Sequence, residues 1–493
     1  MKNPVAAFNL LWRTGKMWPQ KLKILSAHFK SFSSSLKKRQ GGRGILKLFP
    51  LEQLSAFPTC DLSEVVAGAR GLLAIQHYSD ISCREIRTGF GDDRQGLEVQ
   101  QMIEIGKAAL VTGSYKLAVQ WFLEAEESSA QSEDHKLKAR LAQLVAEARE
   151  THDGHLVTNG YIQYNARNKN TYSCDDKPYD QDLQSSEVFK LHRTHYEELV
   201  KFSSRDVDLA RENISTNSFW KCIYIGLDPL RRKLCQGVVE SRPALQCQFL
   251  HHQDHFLLLA PFKYEEVKRS PAAGIILEVA YPEEIEKVME EARGKMITTT
   301  LVDYNQAGDV QDGYTSRRTS KVTYRSEKSL AEPLSAWTRR IELATRLDLT
   351  STKLSSENYQ IMNYGLGGAI LTHRDSDDQG LEDPVYSESW HNGGPRLATV
   401  MVWLTQVPSG GRTVFAGAGL AVATRPGAAL VWWNIRSDGS LDSRNHHTGC
   451  PVTRGNKWIA NKWVKWPSQM WRYPCSHNRG QHYAGLNLNR VFV

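Results

Sequence analysis

Apolar positions in the first third of the chain recur at the spacing of amphipathic helices. One apolar stripe begins near Leu62, and a second begins near Leu97, is interrupted at Gly113 and continues to about Glu150. Side chains three and four positions apart lie on one helix face, so these stripes predict helices with one buried side. Two antiparallel helices joined at Gly113 resemble a tetratricopeptide-type repeat, and a plain helical bundle is the alternative.

After about Ser270 the pattern changes to short apolar runs typical of β-strands. Gly-Gly, Pro-Ser-Gly-Gly and Arg-Gly-Asn turns separate these runs, which predicts a closed or sandwiched β-domain. The predicted strands are 274–279, 359–364, 369–373, 398–404, 413–415, 428–433 and 457–464, with a helix over 282–294. We therefore predict an α+β multidomain chain with an N-terminal region (1–95), a helical domain (96–166), a linker and connection (167–270), a β-domain (271–475) and a tail (476–493).

Composition and charge narrow the classes of protein that this chain can belong to. The 493 residues are 41% hydrophobic and 24% charged, as in soluble proteins of several domains. The net charge is +8, but residues 1–50 contain eleven Lys or Arg and no acid, so the remaining 443 residues carry a net charge of −3. This distribution argues against nucleic-acid binding by the folded domains. No apolar run approaches the roughly 18 residues of a membrane span.

Candidate metal ligands lie at the end of one predicted strand. His373 and Asp375 are two residues apart and would point to the same side of the strand. If His447 arrives from a neighbouring strand, two imidazoles and one carboxylate can hold Fe(II) and leave open positions. Lys457 could then place its ammonium opposite a carboxylate of a bound dicarboxylic acid. The alternatives are a loop histidine at His447 and a surface cation at Lys457.

A second match to the His-x-Asp spacing shows that this short motif is weak by itself. His252 and Asp254 also fit it, within the dense cluster His251–His255. No glycine-bounded β framework surrounds this cluster, and no candidate anchor for a cosubstrate follows it. We therefore predict a polar turn there, with no metal.

Six segments resemble, in the same order, the catalytic domain of animal collagen prolyl 4-hydroxylase α subunits. These segments are 364–368, 373–375, 396–399, 407–415, 427–432 and 447–458. The resemblance implies a double-stranded β-helix (jelly-roll) dioxygenase that uses Fe(II), 2-oxoglutarate, O₂ and L-ascorbate. It would hydroxylate peptidyl proline at C4 in procollagen-like, proline-rich substrates and convert 2-oxoglutarate to succinate and CO₂.

The resemblance also implies roles for individual residues. His373, Asp375 and His447 would hold the iron, and Lys457, assisted by Thr413, would bind a 2-oxoglutarate carboxylate. These residues are the catalytic, metal-binding and cosubstrate-binding set that we expect.

None of the eight cysteines forms a C-x-x-C motif, which argues against a zinc ribbon or a thioredoxin-type redox site. The resemblance implies disulfides between Cys235 and Cys247 and between Cys450 and Cys475. Disulfides indicate an oxidising compartment, here the endoplasmic reticulum lumen, where Asn213 would be a candidate glycan acceptor.

Two departures from the family pattern leave alternatives open. Ile370 stands where the family has a tyrosine that contacts 2-oxoglutarate. The helical region resembles the family's peptide-binding domain but is shorter, and its candidate substrate-binding aromatic residues are Tyr115 and Trp121. The alternatives are a divergent paralogue that acts on another proline-rich protein or serves as a weakly active partner subunit, and a non-catalytic helical-repeat adaptor.

The basic N-terminal segment has a family counterpart as well. Residues 3–13 resemble an interior segment of the family's N-terminal dimerisation domain, so we expect that the chain begins within this domain and has lost its signal peptide. The resemblance further implies an α₂β₂ assembly with protein disulfide isomerase as the β subunit.

Overall fold

The computed structural model describes most of the sequence as two compact units. One unit comprises residues 1–76 and 81–151, and the other comprises 77–80 and 152–493. The described residues within them are 3–17, 19–20, 62–89, 96–159, 228–238, 247–298, 303–304, 310–311, 320–328, 331–376, 393–476 and 483.

The first unit is helical, as the apolar stripes predict. Its helices are α1 (Pro4–Trp12), α2 (Leu62–Ser79), α3 (Cys83–Thr88), α4 (Val99–Val111), α5 (Tyr115–Ser128) and α6 (His135–Asn159), the last residues of α2 and α6 being assigned to the second unit. Helix α1 begins where the Asn3 side chain accepts hydrogen bonds from the next backbone amides and Pro4 occupies the first helical position. None of the described helices combines the length and apolar character needed to cross a bilayer.

Helices α4 and α5 pack as the predicted hairpin around Gly113, which has a φ of 72°. A positive φ favours glycine, and this explains why the apolar stripe is interrupted there. Gly106 in α4 lies directly against the Phe122 ring, and a Cβ at this position would come within 2.4 Å of it. The helical hairpin is therefore confirmed, while its relation to tetratricopeptide repeats stays a prediction.

The predicted substrate-binding role of Trp121 is wrong. Its side chain is fully buried in the helical unit, and its indole N–H donates a 2.8 Å hydrogen bond to Gln76 Oε1. An aromatic residue on the apolar face of an amphipathic helix fills the core, where no peptide can reach it. Tyr115 is partly exposed, so its role stays a prediction.

The predicted boundary between residues 95 and 96 falls inside the helical unit. The Gln101 side chain of α4 donates a 2.7 Å hydrogen bond to Asn9 of α1, and both residues are buried. Phe8 lies against Gly68 of α2. The N-terminal region and the helical hairpin thus share one core, because α1 is too short to bury its apolar face alone.

The second unit is built on antiparallel β-sheets with helices. Its strands are β1 (Cys247–Leu250), β2 (Phe262–Arg269), β3 (Ala272–Ile276), β4 (Ile297–Thr298), β5 (Asp303–Tyr304), β6 (Val310–Gln311), β7 (Lys321–Arg325), β8 (Tyr359–Tyr364), β9 (Ile370–His373), β10 (Arg396–Trp403), β11 (Ser409–Gly410), β12 (Thr413–Phe415), β13 (Leu420–Val422), β14 (Ala429–Trp433), β15 (His447–Gly449), β16 (Val452–Arg454) and β17 (Lys457–Lys465). Its helices are α7 (Asp228–Gln236), α8 (His255–Leu259), α9 (Pro282–Arg293) and α10 (Ala331–Thr345).

Two sheets position the candidate site. The large sheet has the order β1-β2-β3-β14-β10-β17-β8-β7-β4, and the small sheet has the order β13-β12-β15-β9. All nine residues of β17 are buried because both faces of the large sheet are covered. One face packs on α9 and α10 through residues such as Trp337 and Ile361, and the other packs on the small sheet through Ile459 and Phe415.

The predicted domain boundary at residue 270 is corrected by the sheet. Strands β1 and β2 precede this position and extend the large sheet beyond β3, with which β2 pairs. Strand β2 is rich in charged residues and only partly buried, so it lacks the apolar run by which a strand is recognised in a sequence.

The predicted disulfide pairing is also wrong, because the structure joins Cys235 to Cys450, with a Cα–Cα distance of 5.6 Å. Helix α7 carries Cys235 to the small sheet, where Cys450 follows β15. Cys247 begins the edge strand of the large sheet and, like Cys475, is a free and exposed thiol.

Candidate metal centre and cosubstrate pocket

Three candidate metal ligands meet at the small sheet. His373 ends β9 and pairs in register with His447, which begins β15. Asp375 lies two residues beyond β9 and places its carboxylate oxygens 3.7 Å from His373 Nε2 and 3.8 Å from His447 Nε2. Among the described residues, this is the only group of three or more His, Cys, Asp or Glu side chains that could share a metal ion.

Backbone carbonyls orient both imidazole rings. His373 Nδ1 lies 2.9 Å from the carbonyl oxygen of Leu371, and His447 Nδ1 lies 3.0 Å from that of Asn445. A carbonyl can only accept, so each Nδ1 carries the proton and each Nε2 keeps its lone pair for a metal. Trp432 packs edge-on against the His447 ring, with 5.0 Å between centroids.

Buried polar groups surround the Asp375 carboxylate. Thr399 donates a 2.8 Å hydrogen bond to Asp375 Oδ2, and Asn434 Nδ2 donates a 2.9 Å hydrogen bond to Thr399 Oγ1. Burial alone would raise the pKa of Asp375, but in the metal-free site the positive charge of the two imidazoles in their protonated form, the Arg396 guanidinium and the Thr399 hydroxyl outweigh it and lower the pKa to about 2. The carboxylate is therefore ionised and ready to bind a cation.

Lys457, on β17, lines the same pocket as His373 and His447. Its ammonium donates a 3.2 Å hydrogen bond to Thr413 Oγ1, and among the described residues no carboxylate forms an ion pair with it. Burial lowers the pKa of Lys457 to about 7. A buried ammonium without an anion is costly, so a bound carboxylate would stabilise its charged form.

The pocket between the sheets joins Lys457 to the metal ligands. It encloses about 410 Å³ that no protein atom fills, including space open to solvent. Lys457, Ile459 and Asn461 line it because alternate residues of a strand share one face. The buried Asn461 Oδ1 has no hydrogen-bond partner in the described structure, and Ile370 lines the opposite wall. Such a pocket is suited to a small ligand that carries polar groups.

The structure thus brings together five residues predicted from the sequence, which are His373, Asp375, His447, Lys457 and Thr413. Within the cluster His251–His255, His252 and Gln253 form a turn with positive φ angles, as predicted, and His255 begins α8. His252 is buried there with Nε2 2.8 Å from the Ala344 carbonyl oxygen. Asn213 lies outside the described residues.

Thr399 and Asn434 are functional candidates that sequence reasoning missed. Thr399 lies in the segment 396–399, which carries the family resemblance, but its contact with Asp375 spans 24 residues. Asn434 follows β14 and reaches Thr399 across 35 residues. The available signal was a polar residue within each of two strongly apolar runs, because such residues need buried partners.

The side chains present suit the groups that the sequence implies. Two neutral imidazoles and a carboxylate on one side of a metal are the typical donors of non-haem Fe(II) oxygenases, which keep positions open for a chelating cosubstrate. Lys457, lacking an acidic partner among the described residues, fits the far carboxylate of a dicarboxylic acid. The antiparallel β-fold together with these three side chains defines the site as one of the non-haem Fe(II) oxygenase type.

Comparison with known proteins agrees with this class. Residues 359–465 match the family model for the 2OG-Fe(II) oxygenase superfamily. The chain is 34% identical over 253 residues to prolyl 4-hydroxylase subunit alpha-2 of Caenorhabditis elegans, covering 49% of this chain and 44% of the relative. It is 32% identical over 247 residues to the human subunit alpha-3, covering 49% and 42%. The match spans less than half the length of each relative, and it confirms the resemblance predicted from the sequence.

A solved structure also matches part of the chain. A viral collagen prolyl hydroxylase from Paramecium bursaria Chlorella virus-1, in complex with 2OG, is 22% identical, with a TM-score of 0.30. The match covers 39% of this chain and 94% of the viral protein.

Proposed function

We propose that this protein is an Fe(II)- and 2-oxoglutarate-dependent dioxygenase that hydroxylates peptidyl proline at C4. The observation that carries the proposal is one pocket lined by His373 and His447, beside which Asp375 lies, and by the buried Lys457. Among the described residues, Lys457 has no acidic partner. The names of the matched relatives, which are prolyl 4-hydroxylase subunits, support proline as the target. A non-catalytic adaptor would have no reason to keep this costly arrangement of buried ionisable groups.

The ionisable residues of the site have distinct tasks in this reaction. When bound, iron together with 2-oxoglutarate and O₂ supplies the oxidation that yields succinate, CO₂ and hydroxyproline. His373 and His447 present Nε2, Asp375 presents an ionised oxygen, and Lys457 with Thr413 binds the far carboxylate of 2-oxoglutarate. Apolar walls that include Trp432 and Ile459 lower the polarity around these groups, which strengthens the electrostatic contacts inside the pocket.

A double-stranded β-helix for the catalytic region and a procollagen-like, proline-rich peptide as substrate extend the proposal. The two antiparallel sheets that enclose the site support the former. The second candidate is a divergent paralogue that hydroxylates another proline-rich protein. It is favoured by Ile370, an apolar residue in the wall of the pocket, and by the burial of Trp121.

The setting of the enzyme belongs to the same proposal. The Cys235–Cys450 disulfide supports an oxidising compartment such as the endoplasmic reticulum lumen. The relatives are named as alpha subunits, which supports assembly with a partner subunit, for which we propose protein disulfide isomerase in an α₂β₂ form. Ascorbate as a reductant and a glycan on Asn213 are further parts of the proposal.

Turnover measured with a peptide tests the function. Fe(II)-loaded protein should release succinate from 2-oxoglutarate faster when a (Pro-Pro-Gly)n peptide is added, and the peptide should gain the mass of one oxygen per hydroxylation. His373→Ala should abolish both signals. If proline-rich peptides neither stimulate succinate release nor gain mass, and His373→Ala leaves any turnover unchanged, the proposal is wrong.

A further inference from the structure

We propose that Thr399 and Asn434 act as positioning residues that leave Asp375 only one oxygen with which to bind the metal. The inference rests on the proposed metal site and concerns how this chain shapes it. Thr399 lies on β10 and Asn434 directly follows β14, two paired strands of the large sheet, whereas Asp375 follows β9 of the small sheet. The contact therefore connects the two sheets at the metal end of the pocket.

The direction of each hydrogen bond follows from the donors available. The amide nitrogen of Asn434 can only donate, so Thr399 Oγ1 accepts from it at 2.9 Å. The single hydroxyl proton of Thr399 is then directed to Asp375 Oδ2 at 2.8 Å. Both residues are buried, so water does not compete for these groups.

This arrangement makes the two carboxylate oxygens of Asp375 different, because only one of them accepts the Thr399 hydrogen bond. Oδ2 accepts from Thr399 and lies 3.8 Å from His447 Nε2, while Oδ1 lies 3.7 Å from His373 Nε2. No hydrogen bond is described for Oδ1, so the Thr399 contact is what distinguishes the two oxygens. A carboxylate that bound through one oxygen would, together with the two imidazoles, leave positions on the metal open for a cosubstrate. A carboxylate that was free to rotate could bind through both oxygens and take a position that the cosubstrate needs.

Arg396 holds the backbone of Asp375. Its Nη1 donates a 3.1 Å hydrogen bond to the Asp375 carbonyl oxygen, and Glu357 accepts two hydrogen bonds from the same guanidinium at 2.6 and 2.8 Å. With the backbone held in this way, the carboxylate orientation depends on the side-chain torsion that Thr399 controls. Thr399 is thus the position at which the orientation can be tested by itself.

Cobalt(II) binding provides a test that does not require turnover. Co(II) dissociation constants and visible absorption spectra would be measured for wild type, Thr399→Val, Thr399→Ser and Asn434→Ala. Valine keeps the shape of threonine without the hydroxyl, whereas serine keeps the hydroxyl. Loss of a hydrogen-bond partner to a ligand typically weakens metal affinity about 10- to 100-fold, which is the effect expected for Thr399→Val. Its spectrum at metal saturation should also differ from that of wild type.

The other variants distinguish loss of the Thr399 hydroxyl from a change in packing at this position. Thr399→Ser should bind Co(II) within about threefold of wild type with the same spectrum, and Asn434→Ala should be intermediate, since its threonine hydroxyl is present but free to rotate. Wild-type affinity and spectrum in Thr399→Val would overturn the inference, as would equal losses in the serine and valine variants. If Thr399→Val does not fold, unchanged binding by Asn434→Ala overturns it instead. His373→Ala serves as a separate control, because Co(II) affinity like that of wild type in this variant would refute the metal site itself.

Discussion

Two of the buried lysines on strand β17, Lys457 and Lys462, differ in what they contact, although they are only five positions apart. Lys462 faces the helix-covered side of the large sheet, where its ammonium lies 2.6 Å from Glu327 and 2.7 Å from Ser351. Lys457 faces the pocket, where Thr413 is its one hydrogen-bond partner among the described residues. Burial lowers the pKa of both lysines, and at Lys462 the carboxylate of Glu327 opposes this effect.

The difference is one of charge balance. A carboxylate of the protein balances the charge of Lys462, whereas Lys457 has no carboxylate partner among the described residues. A buried cation is tolerated when the protein supplies the anion, as Glu327 does for Lys462. Where the described structure supplies none, the cost of burial is retained in the free protein and is relieved when an anion binds.

Removal of a metal ligand should have the largest effect. Asp375→Ala takes away the charge that offsets the cation in a buried site, and we expect Fe(II) or Co(II) affinity to fall by at least about a thousandfold. Metal titration followed by absorption measures the change. Lys462→Met serves as the matched control, since it lies on the other face and should keep full metal affinity. Equal loss in both variants would show that the effect is general misfolding.

Lys457→Met should abolish tight binding of 2-oxoglutarate without destabilising the protein. Truncation of one partner of a buried charge pair costs about 3 kcal/mol, or more than a hundredfold in the dissociation constant, while metal affinity should persist. The ligand-free variant should be at least as stable as wild type, since an uncompensated buried amine has been removed. Calorimetric titration of the metal-loaded protein and urea unfolding check the two parts. Unchanged 2-oxoglutarate affinity would contradict the role of Lys457.

Lys462→Met should show the opposite behaviour. Loss of this ammonium leaves Glu327 half-buried without its cation, and we expect a loss of about 3 kcal/mol in the free energy of unfolding, with 2-oxoglutarate affinity unchanged. Urea unfolding measures the loss. The double variant Lys462→Met with Glu327→Leu should recover most of it, because an apolar pair replaces the ion pair. No recovery would mean that the loss arises from packing.

The affinity for 2-oxoglutarate should depend on pH through Lys457. The pKa of Lys457 is about 7 in the ligand-free pocket, so its amine is charged below this pH and increasingly neutral above it. Binding to a carboxylate requires the ammonium, so the dissociation constant should be nearly constant below pH 7 and rise by up to about tenfold per pH unit above it. Lys457→Arg keeps its charge throughout, and its affinity should lack this rise. Persistence of the same rise in the arginine variant would assign it to another group.

Ile370→Tyr should give the smallest effect. Ile370 lines the pocket, and a tyrosine hydroxyl there could donate a hydrogen bond to 2-oxoglutarate worth about 1 kcal/mol, or about fivefold in affinity. Ile370→Phe is the matched control, because it adds the ring without the hydroxyl. If phenylalanine improves affinity as much as tyrosine, the gain comes from packing, and the missing hydroxyl has no part in cosubstrate binding.

The sequence predicts what is encoded locally. The strands Tyr359–Tyr364 and Thr413–Phe415 have the predicted bounds, because apolar β-prone runs end at clear turns. His373 and Asp375 could be placed together because residues two apart share one face of a strand. His447 and Lys457 were recognisable through their order relative to these ligands within the family resemblance.

Contacts between distant segments could not be predicted in the same way. The bond between Cys235 and Cys450 joins segments 215 residues apart, and only the packing of α7 on the small sheet brings them together. The chain of hydrogen bonds from Asn434 to Asp375 likewise depends on the pairing of β10 with β14. Strand β7 was missed because exposed and charged residues at its ends interrupt its apolar positions.

Titration of Lys457 by NMR measures whether its ammonium is destabilised in the free pocket and stabilised by a bound carboxylate. In protein labelled with ¹⁵N-lysine and loaded with diamagnetic Zn(II), the Lys457 resonance is identified by its loss in Lys457→Arg. The titration midpoint should lie near 7 without ligand and should rise by at least about one unit when 2-oxoglutarate is bound, because its carboxylate stabilises the ammonium. A midpoint near the ordinary lysine value of 10.5 in the free protein, or one that 2-oxoglutarate does not move, would contradict the account.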